Sequence, residues 1–238
     1  MKAILVLLLL ASSAMAQTAE LASVRVYCFH QKARRLGVPD GFGSGIYVSE
    51  NQILTNFHVV EKRKKILADP MAAFITGEVS EDREHPESLM VRFTDGHRCW
   101  ATVEAEDSET DVALLRITPH KTIKPVPMAT QNAAWGSVVR LHGFGYDYEY
   151  KMIRSVIGDS MIRGEMTEEQ AKIYDRYSVP DPNGPWVVLT FGQAIPGDSG
   201  GPFMQNGKLV GLVHSTGDGY SQGVHIESIR TTFTGRLK

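Results

Sequence analysis

The chain lacks an excess of charge of either sign. Its 25 lysines and arginines stand against 27 aspartates and glutamates, which leaves a net charge of -2. A protein that binds nucleic acid through the phosphates needs clustered positive charge, so this balance argues against a nucleic-acid partner. The one basic run, Lys62–Lys65, is interpreted as a solvated loop.

Long apolar runs are missing beyond the first residues of the chain. Ile4–Ala11 is apolar but too short to span a bilayer. Lys2 precedes this run and Ala14-Met15-Ala16 follows it, which is the pattern of a secretory signal peptide over residues 1–16. We therefore expect a secreted or periplasmic protein that starts near Gln17 and has no membrane span in its mature chain.

Cysteine is scarce, with Cys28 and Cys99 as the two in the chain. Neither lies in a ligand-spaced cluster, and no His-x-x-x-His spacing is present, so no metal or other cofactor is expected. Export permits a disulfide, and we predict one between Cys28 and Cys99. Two buried free thiols are the alternative, because sequence does not give the distance between them.

Helix signals are few. Thr167-Glu168-Glu169-Gln170 resembles a capped helix start and predicts a short helix to about Tyr177, inside an insertion over about 165–185. A second unusual stretch, 66–88, carries an acidic run. Both stretches are interpreted either as loops at the rim of a substrate-binding cleft or as surface loops with no role in substrate choice.

The rest of the chain has an all-β pattern. Short runs rich in β-branched residues, bounded by Gly, Asp, Asn or Pro, predict strands at 24–30, 45–49, 89–94, 100–106 and 112–117, then at 137–142, 152–157, 186–191, 201–204, 209–214 and 223–226. Lys124-Pro125-Val126-Pro127 cannot continue a central strand, because each proline removes a donor. It is interpreted as a linker between units of about 20–124 and 125–238.

Three segments carry residues that could take part in catalysis. Gly197-Asp198-Ser199-Gly200-Gly201-Pro202 places a serine in a glycine-rich turn before a strand. A serine hydroxyl is a poor nucleophile unless a base takes its proton. His58 follows an apolar run, and Asp111 lies at the mouth of a buried strand. With these segments in the order His, Asp, Ser, the chain resembles the trypsin/chymotrypsin-like serine peptidases, and among them the bacterial secreted HtrA/Deg and V8-type glutamyl endopeptidases, without a PDZ domain.

The resemblance implies a fold of two packed antiparallel β-barrels with the active site in the cleft between them. It implies that Ser199 attacks a peptide carbonyl, that His58 acts as the general base and that Asp111 orients the imidazole. The backbone N–H groups of Gly197 and Ser199 would form the oxyanion hole. The expected partners are protein or peptide substrates, and the oligomeric state is left open.

The resemblance also assigns a specificity pocket. Gln193 maps to its floor, and its wall maps to Val213, His214, Thr216 and Gly223. An uncharged floor disfavours a basic P1 side chain, since burying an unpaired charge is costly. His214 favours Glu only if its imidazole faces the pocket, so we predict an uncharged P1 residue, with Glu as the alternative.

Asp198 marks a departure from the pattern of the trypsins. There the equivalent acid pairs with an N-terminal amine released by propeptide cleavage. No Ile-Val-Gly-Gly-type activation site is present here, so another partner for Asp198 is expected.

The sequence also allows two other interpretations. Gly197-x-Ser199-x-Gly201 also fits the nucleophile elbow of α/β-hydrolases, but that fold needs the order Ser, acid, His and alternating helices. The second alternative is a secreted binding or chaperone-like protein on a peptidase scaffold. The complete set of His58, Asp111 and Ser199 favours the enzyme.

Overall fold

The computed structural model describes residues 19–29, 39, 41–61, 89–134, 137–147, 150–158, 186–189, 194–217 and 220–237. The predicted signal peptide, the basic run Lys62–Lys65, the stretches 66–88 and 165–185 and Gln193 lie outside these residues. Among the described residues, no helix is long and apolar enough to cross a membrane.

In the part of the chain that the structure describes, twelve strands form two closed antiparallel barrels. The first barrel contains β1 (Ser23–Cys28), β2 (Gly41–Ser49), β3 (Gln52–Thr55), β4 (Leu89–Phe93), β5 (Arg98–Asp107) and β6 (Val112–Ile117). The second contains β7 (Val138–Gly143), β8 (Lys151–Gly158), β9 (Trp186–Leu189), β10 (Pro202–Gln205), β11 (Lys208–Gly217) and β12 (Tyr220–His225). The orders β1-β2-β3-β6-β5-β4 and β7-β8-β9-β12-β11-β10 show that the barrels share one topology. The predicted all-β, two-barrel fold is confirmed.

The strand sequences explain why each sheet closes into a barrel. β1 and β3 are buried along their whole length, while β4 alternates between buried and half-buried residues, as expected for a barrel wall. Register shifts interrupt β2, β5, β10 and β11, each marking a bulge or irregularity. A bulge bends a strand and increases its twist, which a small closed barrel requires.

One of two hydrophobic clusters extends from the first barrel into the second. Val139, Leu141, Phe203, Val210 and Val213 belong to a small cluster of the second barrel. A larger cluster joins the first barrel to residues of β10, β11, β12 and the C-terminal helix, including Met204, Leu209, Leu212, Val224 and Ile229. Because apolar contacts run continuously across the junction, the relative position of the barrels is set by packing.

The sequence predicted a strand at 223–226 and no helix after it, but the structure has a C-terminal helix over Ile226–Thr232. Ile226, Ile229 and Phe233 are buried and recur with helical spacing, so the signal was present but short. The helix directly follows β12 and contacts both β11 and β12. It therefore covers one side of the second barrel.

The predicted disulfide between Cys28 and Cys99 is wrong in this structure, where the two cysteines are not joined to each other. Cys28 pairs with Leu89 of β4, and Cys99 pairs with Val91 of the same strand. The two cysteines are thus separated by an intervening strand, or about 10 Å across the sheet. A disulfide requires Cα atoms within about 7 Å.

A buried histidine lies on β7 beside the serine-containing turn. His142 has no exposed surface, and a Cβ built on Gly201 would lie 2.2 Å from its carbonyl oxygen. Burial, and to a smaller extent the charge of Arg140, lowers the pKa of its imidazole from 6.5 to about 4. Its Nδ1 hydrogen-bonds to the hydroxyl of Tyr150, whose own pKa is raised by burial. His142 is therefore neutral in the folded protein near pH 7.

We predict that His142 makes the fold sensitive to acid. Because the pKa in the folded state, about 4, lies below the ordinary value of 6.5, the unfolded chain takes up the proton first. The stabilisation is complete above pH 6.5 and is lost as the pH falls toward 4, by roughly 3 kcal/mol. Urea unfolding at several pH values measures this loss.

The matched variants are His142→Gln, which cannot titrate, and His97→Gln, at an exposed histidine. We expect His142→Gln to lose less stability between pH 7 and 4 than the wild type, and His97→Gln to follow the wild type. Equal losses in the wild type and His142→Gln would show that His142 is not the source of the acid sensitivity.

Candidate active site

Four loops and strand ends bring polar side chains to the junction of the barrels. His58 lies in a short helix, 57–61, that follows β3 after one residue, and Asp111 directly precedes β6. Ser199 lies in the turn before β10, and His214 lies within β11. β3 and β6 are neighbours, and Thr55 pairs with Ala113, so His58 and Asp111 start close together.

The carboxylate of Asp111 is the centre of this site. It is 6% exposed. Its Oδ1 accepts a hydrogen bond from the backbone N–H of His58 at 2.9 Å, and its Oδ2 contacts Nδ1 of the same residue at 2.9 Å. Nδ1 of His214 contacts the same Oδ2. Two imidazoles thus share one carboxylate oxygen.

These contacts determine the protonation of the group. Burial raises the pKa of Asp111, but the hydrogen bonds from His214 and His58 outweigh burial and leave the pKa at about 2. An ionised carboxylate can only accept hydrogen bonds, so both Nδ1 atoms carry protons. In the neutral state, Nε2 of His58 is then free to accept a proton.

The backbone around Asp111 is unusual. Its φ of 51° lies in the left-handed region, which non-glycine residues seldom occupy. The amide of Asn56 donates to the carbonyl of Asp111 at 2.9 Å. The preceding turn is held by Thr110, whose N–H and hydroxyl both donate to the carboxylate of Asp107 at 2.7 Å. The surrounding contacts therefore maintain a strained backbone, which is typical of functional sites.

The turn at 195–201 presents unpaired backbone donors. Gly197 and Gly200 have φ values of 100° and 82°, which a side chain would strain. The N–H groups of Asp198, Gly200 and Gly201 donate to backbone carbonyls. Among the described residues, the N–H groups of Gly197 and Ser199 make no hydrogen bond. They are available to a negatively charged oxygen.

Ser44 of β2 connects this turn to the first barrel. Its N–H donates to the carbonyl of Ser199 at 2.8 Å, and its hydroxyl donates to the carbonyl of Gly197 at 2.7 Å. The same hydroxyl accepts the N–H of Phe144 at 3.0 Å. Ser44 is fully buried. Sequence reasoning missed this role, although the flanking Gly43 and Gly45 signalled a close backbone approach.

The hydroxyl of Ser199 donates to the carbonyl of His214 at 3.1 Å, and not to His58. The rings of His58 and His214 contact each other edge to face, with centroids 5.4 Å apart. Ser199 and His58 therefore both contact His214, Ser199 at its carbonyl and His58 at its ring. In enzymes without substrate, catalytic hydrogen bonds are often long and form only in the complex.

Asp198, for which sequence predicted an unnamed partner, forms an ion pair with Lys151. Asp198 is fully buried, and its Oδ2 contacts Nζ of Lys151 at 2.6 Å and accepts the N–H of Ile195 at 2.8 Å. Gly143 leaves room for this carboxylate, since a Cβ there would lie 2.4 Å from Oδ1. An ammonium of β8 thus neutralises the buried acid next to Ser199. Sequence reasoning named the acid but could not find the cation on a distant strand.

The side chain of His214 contacts Asp111, and its assignment to the pocket wall stays a prediction. β11 has a bulge between Val213, which pairs with Gly223, and Ser215, which pairs with Gln222. The extra residue in a bulge is re-aimed relative to a regular strand. The imidazole of His214 accordingly contacts Asp111.

The other predicted pocket residues are only partly described. Val213 is buried in the second barrel's cluster. A Cβ on Gly223 would lie 2.2 Å from the ring of Phe203, so this glycine makes room for a core side chain. Gln193 and the side chain of Thr216 lie outside the description, and the pocket stays a prediction.

His58, Asp111 and His214 are also the one group among the described residues that could hold a metal ion, with donor atoms within 4.8 Å of one another. Both imidazoles already direct Nδ1 at the carboxylate. The arrangement therefore fits a hydrogen-bonded cluster of proton donors around one acceptor.

Solved structures with the same fold are proteases. A serine endoprotease from Yersinia pestis matches with a TM-score of 0.62 and 19% identity over 94% of this chain, which spans only 65% of that protein's chain. A protease from M. tuberculosis matches in its active form with a TM-score of 0.65 and 19% identity, over 96% of this chain and 86% of that one. The inactive form of the same protease matches with a TM-score of 0.62 and 19% identity, over 94% of this chain and 93% of that one. At this identity the likeness shows the fold alone.

Sequence comparison gives the family. No curated protein matches the chain. The family model for the trypsin-like peptidase domain matches residues 43–212, which is most of the chain and includes His58, Asp111 and Ser199. The chain therefore belongs to the trypsin-like peptidase family.

Proposed function

We propose that the protein is a serine endopeptidase that hydrolyses peptide bonds through an acyl-enzyme. The observation that carries this proposal is the ionised Asp111 in contact with Nδ1 of His58, at the same junction as a serine in a glycine-rich turn. This contact leaves Nε2 of His58 free to act as a base. Membership of the peptidase family supports the same activity.

In the proposed mechanism, Ser199 attacks the scissile carbonyl and His58 takes its proton. Asp111 keeps the imidazole in the required tautomer and stabilises the charged form. Rotation of the Ser199 side chain from the carbonyl of His214 toward His58 precedes the attack. His58 then returns the proton to the leaving amine, and a water molecule releases the acyl group by the same steps in reverse.

The unpaired N–H groups of Gly197 and Ser199 are proposed to bind the oxyanion. Removal of one such donor in other enzymes costs roughly 2.7–4 kcal/mol of transition-state stabilisation. Here the donors are held by Ser44 from the first barrel and by the pair of Asp198 and Lys151 from the second. Both barrels therefore contribute to the geometry of the turn.

We further propose that the enzyme acts outside the cytoplasm, after removal of residues 1–16. The short apolar run and Ala14-Met15-Ala16 support this location.

The first test is covalent labelling of Ser199. A fluorophosphonate reacts with an activated serine, so we expect one adduct on the wild type and none on Ser199→Ala, together with hydrolysis of casein by the wild type only. The intact mass of the labelled protein, recovered outside the cytoplasm, also identifies the N-terminal residue, which we expect to be Gln17. A folded wild type that is neither labelled nor active would favour the binding or chaperone-like alternative.

The second test is P1 specificity, measured by cleavage of a peptide library. We expect uncharged P1 residues, because Gln193 supplies no counterion and His214 is held by Asp111. Gln193→Asp introduces an acid at the proposed pocket floor, and we expect it to increase cleavage after Arg or Lys. A wild-type preference for Arg or Lys would overturn the pocket assignment, and a preference for Glu that is lost in His214→Ala would support the alternative.

The third test concerns the ion pair of Lys151 and Asp198. Lys151→Met leaves a buried carboxylate without its cation, which is strongly unfavourable, and the adjacent turn is expected to distort. We expect kcat/KM to fall roughly ten- to hundredfold, while Lys151→Arg retains most activity.

A double variant separates charge from packing in this third test. Lys151→Met with Asp198→Asn has no buried charge, and we expect it to regain activity relative to Lys151→Met alone. If the double variant were no better than Lys151→Met, the ammonium would matter for a reason other than neutralising Asp198.

A further inference from the structure

Three potential metal ligands converge at the junction of the barrels. Nδ1 of His58 and Nδ1 of His214 both contact Oδ2 of Asp111, and the ligand atoms of the three residues all lie within 4.8 Å of one another. No other group of histidines, cysteines and acids in the described part of the chain meets this condition. Two imidazoles and one carboxylate are a common set of zinc ligands, which leaves a fourth position for water.

We propose that His58, Asp111 and His214 form a Zn²⁺ site whose occupation switches the peptidase off. This inference rests on the proposed peptidase function and concerns its regulation. The metal would take no part in hydrolysis, which the metal-free protein carries out.

The geometry of the two rings suits such an ion. The rings are perpendicular, at 87°, and both direct Nδ1 at the same oxygen, so their ligand atoms approach one point from different directions. Ligand atoms of a tetrahedral Zn²⁺ site lie about 3.3 Å apart. Nδ1 of His58 already lies 2.9 Å from Oδ2 of Asp111. A small outward shift of the side chains therefore admits the ion between them.

The exposure of the three side chains allows the ion to enter from solvent. The side chain of His58 is 30% exposed and that of His214 is 20% exposed, while that of Asp111 is 9% exposed. The imidazoles thus offer a path to the site, and the nearly buried carboxylate supplies the negative charge. Imidazole ligands favour Zn²⁺ and Cu²⁺ over Mg²⁺ and Ca²⁺, which prefer oxygen ligands.

Metal binding and catalysis require opposite tautomers of His58. Catalysis needs a proton on Nδ1, held by Asp111, and a lone pair on Nε2 that accepts the proton of Ser199. A metal on Nδ1 uses the lone pair of that nitrogen, so the proton of the neutral ring lies on Nε2. The proton passes from one ring nitrogen to the other through solvent, and none is lost on balance. With Nε2 protonated, His58 cannot act as the general base.

The first measurement is metal binding, which does not depend on activity. Calorimetric titration of Zn²⁺ into Ser199→Ala, which keeps all three ligands, is expected to show one strong site. We expect His214→Ala in the same background to weaken this site at least about hundredfold, because even the loss of a residue that only supports a ligand costs ten- to a hundredfold. His97→Gln, at an exposed histidine whose ring lies 4.7 Å from that of His120, is the matched control and is expected to bind Zn²⁺ as before.

The second measurement is inhibition of the active enzyme. We expect Zn²⁺ to stop both peptide hydrolysis and fluorophosphonate labelling of Ser199 in the wild type and in His97→Gln. Activity should return when EDTA removes the metal, and Mg²⁺ at the same concentration should have no effect. His214→Ala is compared with its own metal-free activity, and we expect its inhibition to need at least about a hundredfold more Zn²⁺.

NMR of the wild type with ¹⁵N-labelled histidine tests the tautomers without a substitution. We expect Zn²⁺ to move the proton of two histidines from Nδ1 to Nε2. Histidine signals that do not change with Zn²⁺ would overturn the proposal.

The outcomes distinguish this proposal from the proposed function. Strong Zn²⁺ binding by Ser199→Ala, together with a metal-free wild type that is inactive, would support the site and overturn the peptidase function. An active wild type that Zn²⁺ does not inhibit, or inhibition that is unchanged in His214→Ala, would overturn the Zn²⁺ switch while the peptidase function stands. Loss of binding in His97→Gln would place the metal elsewhere and would also overturn the proposal.

Discussion

The structure depends on the placement of one buried negative charge. A carboxylate removed from water is costly unless donors surround it. Asp111 meets this requirement with donors from two segments far apart in sequence, the backbone and ring of His58 and the ring of His214. Because these segments belong to different barrels, satisfying the charge also requires the barrels to be docked. Folding and assembly of the site are therefore one event.

A second buried carboxylate has a similar effect on the serine turn. Asp198 is neutralised by Lys151 from β8, and Ser44 of β2 holds the carbonyls on either side of it. The turn contains glycines with positive φ, so it has little intrinsic preference for its shape. Charge pairing and hydrogen bonds from both barrels supply that preference. The N–H groups of Gly197 and Ser199 are held at a fixed position as a result.

Glycine and strand irregularity explain how polar groups approach so closely. A Cβ on Gly200 would lie 2.2 Å from the carbonyl of Ser44, and one on Gly43 would lie 3.1 Å from the carbonyl of Ser199. The bulge at His214 turns an imidazole out of strand alternation and onto Asp111. These are local departures from regular strands, and each one places a group at the junction.

The sequence alone predicts three features, because each depends on local periodicity or on a contiguous motif. They are the strand pattern, the glycine turn, and the order of His58, Asp111 and Ser199. The short C-terminal helix was not predicted, because its periodic apolar signal consists of only Ile226, Ile229 and Phe233. Two contacts and one separation required the tertiary structure: the contact of Lys151 with Asp198, the contact of His214 with Asp111, and the separation of Cys28 from Cys99. Each joins or separates strands that are distant in sequence, so its geometry depends on register, on a bulge and on which strand intervenes. Those properties arise from the closed barrels as a whole, and no local stretch of sequence contains them.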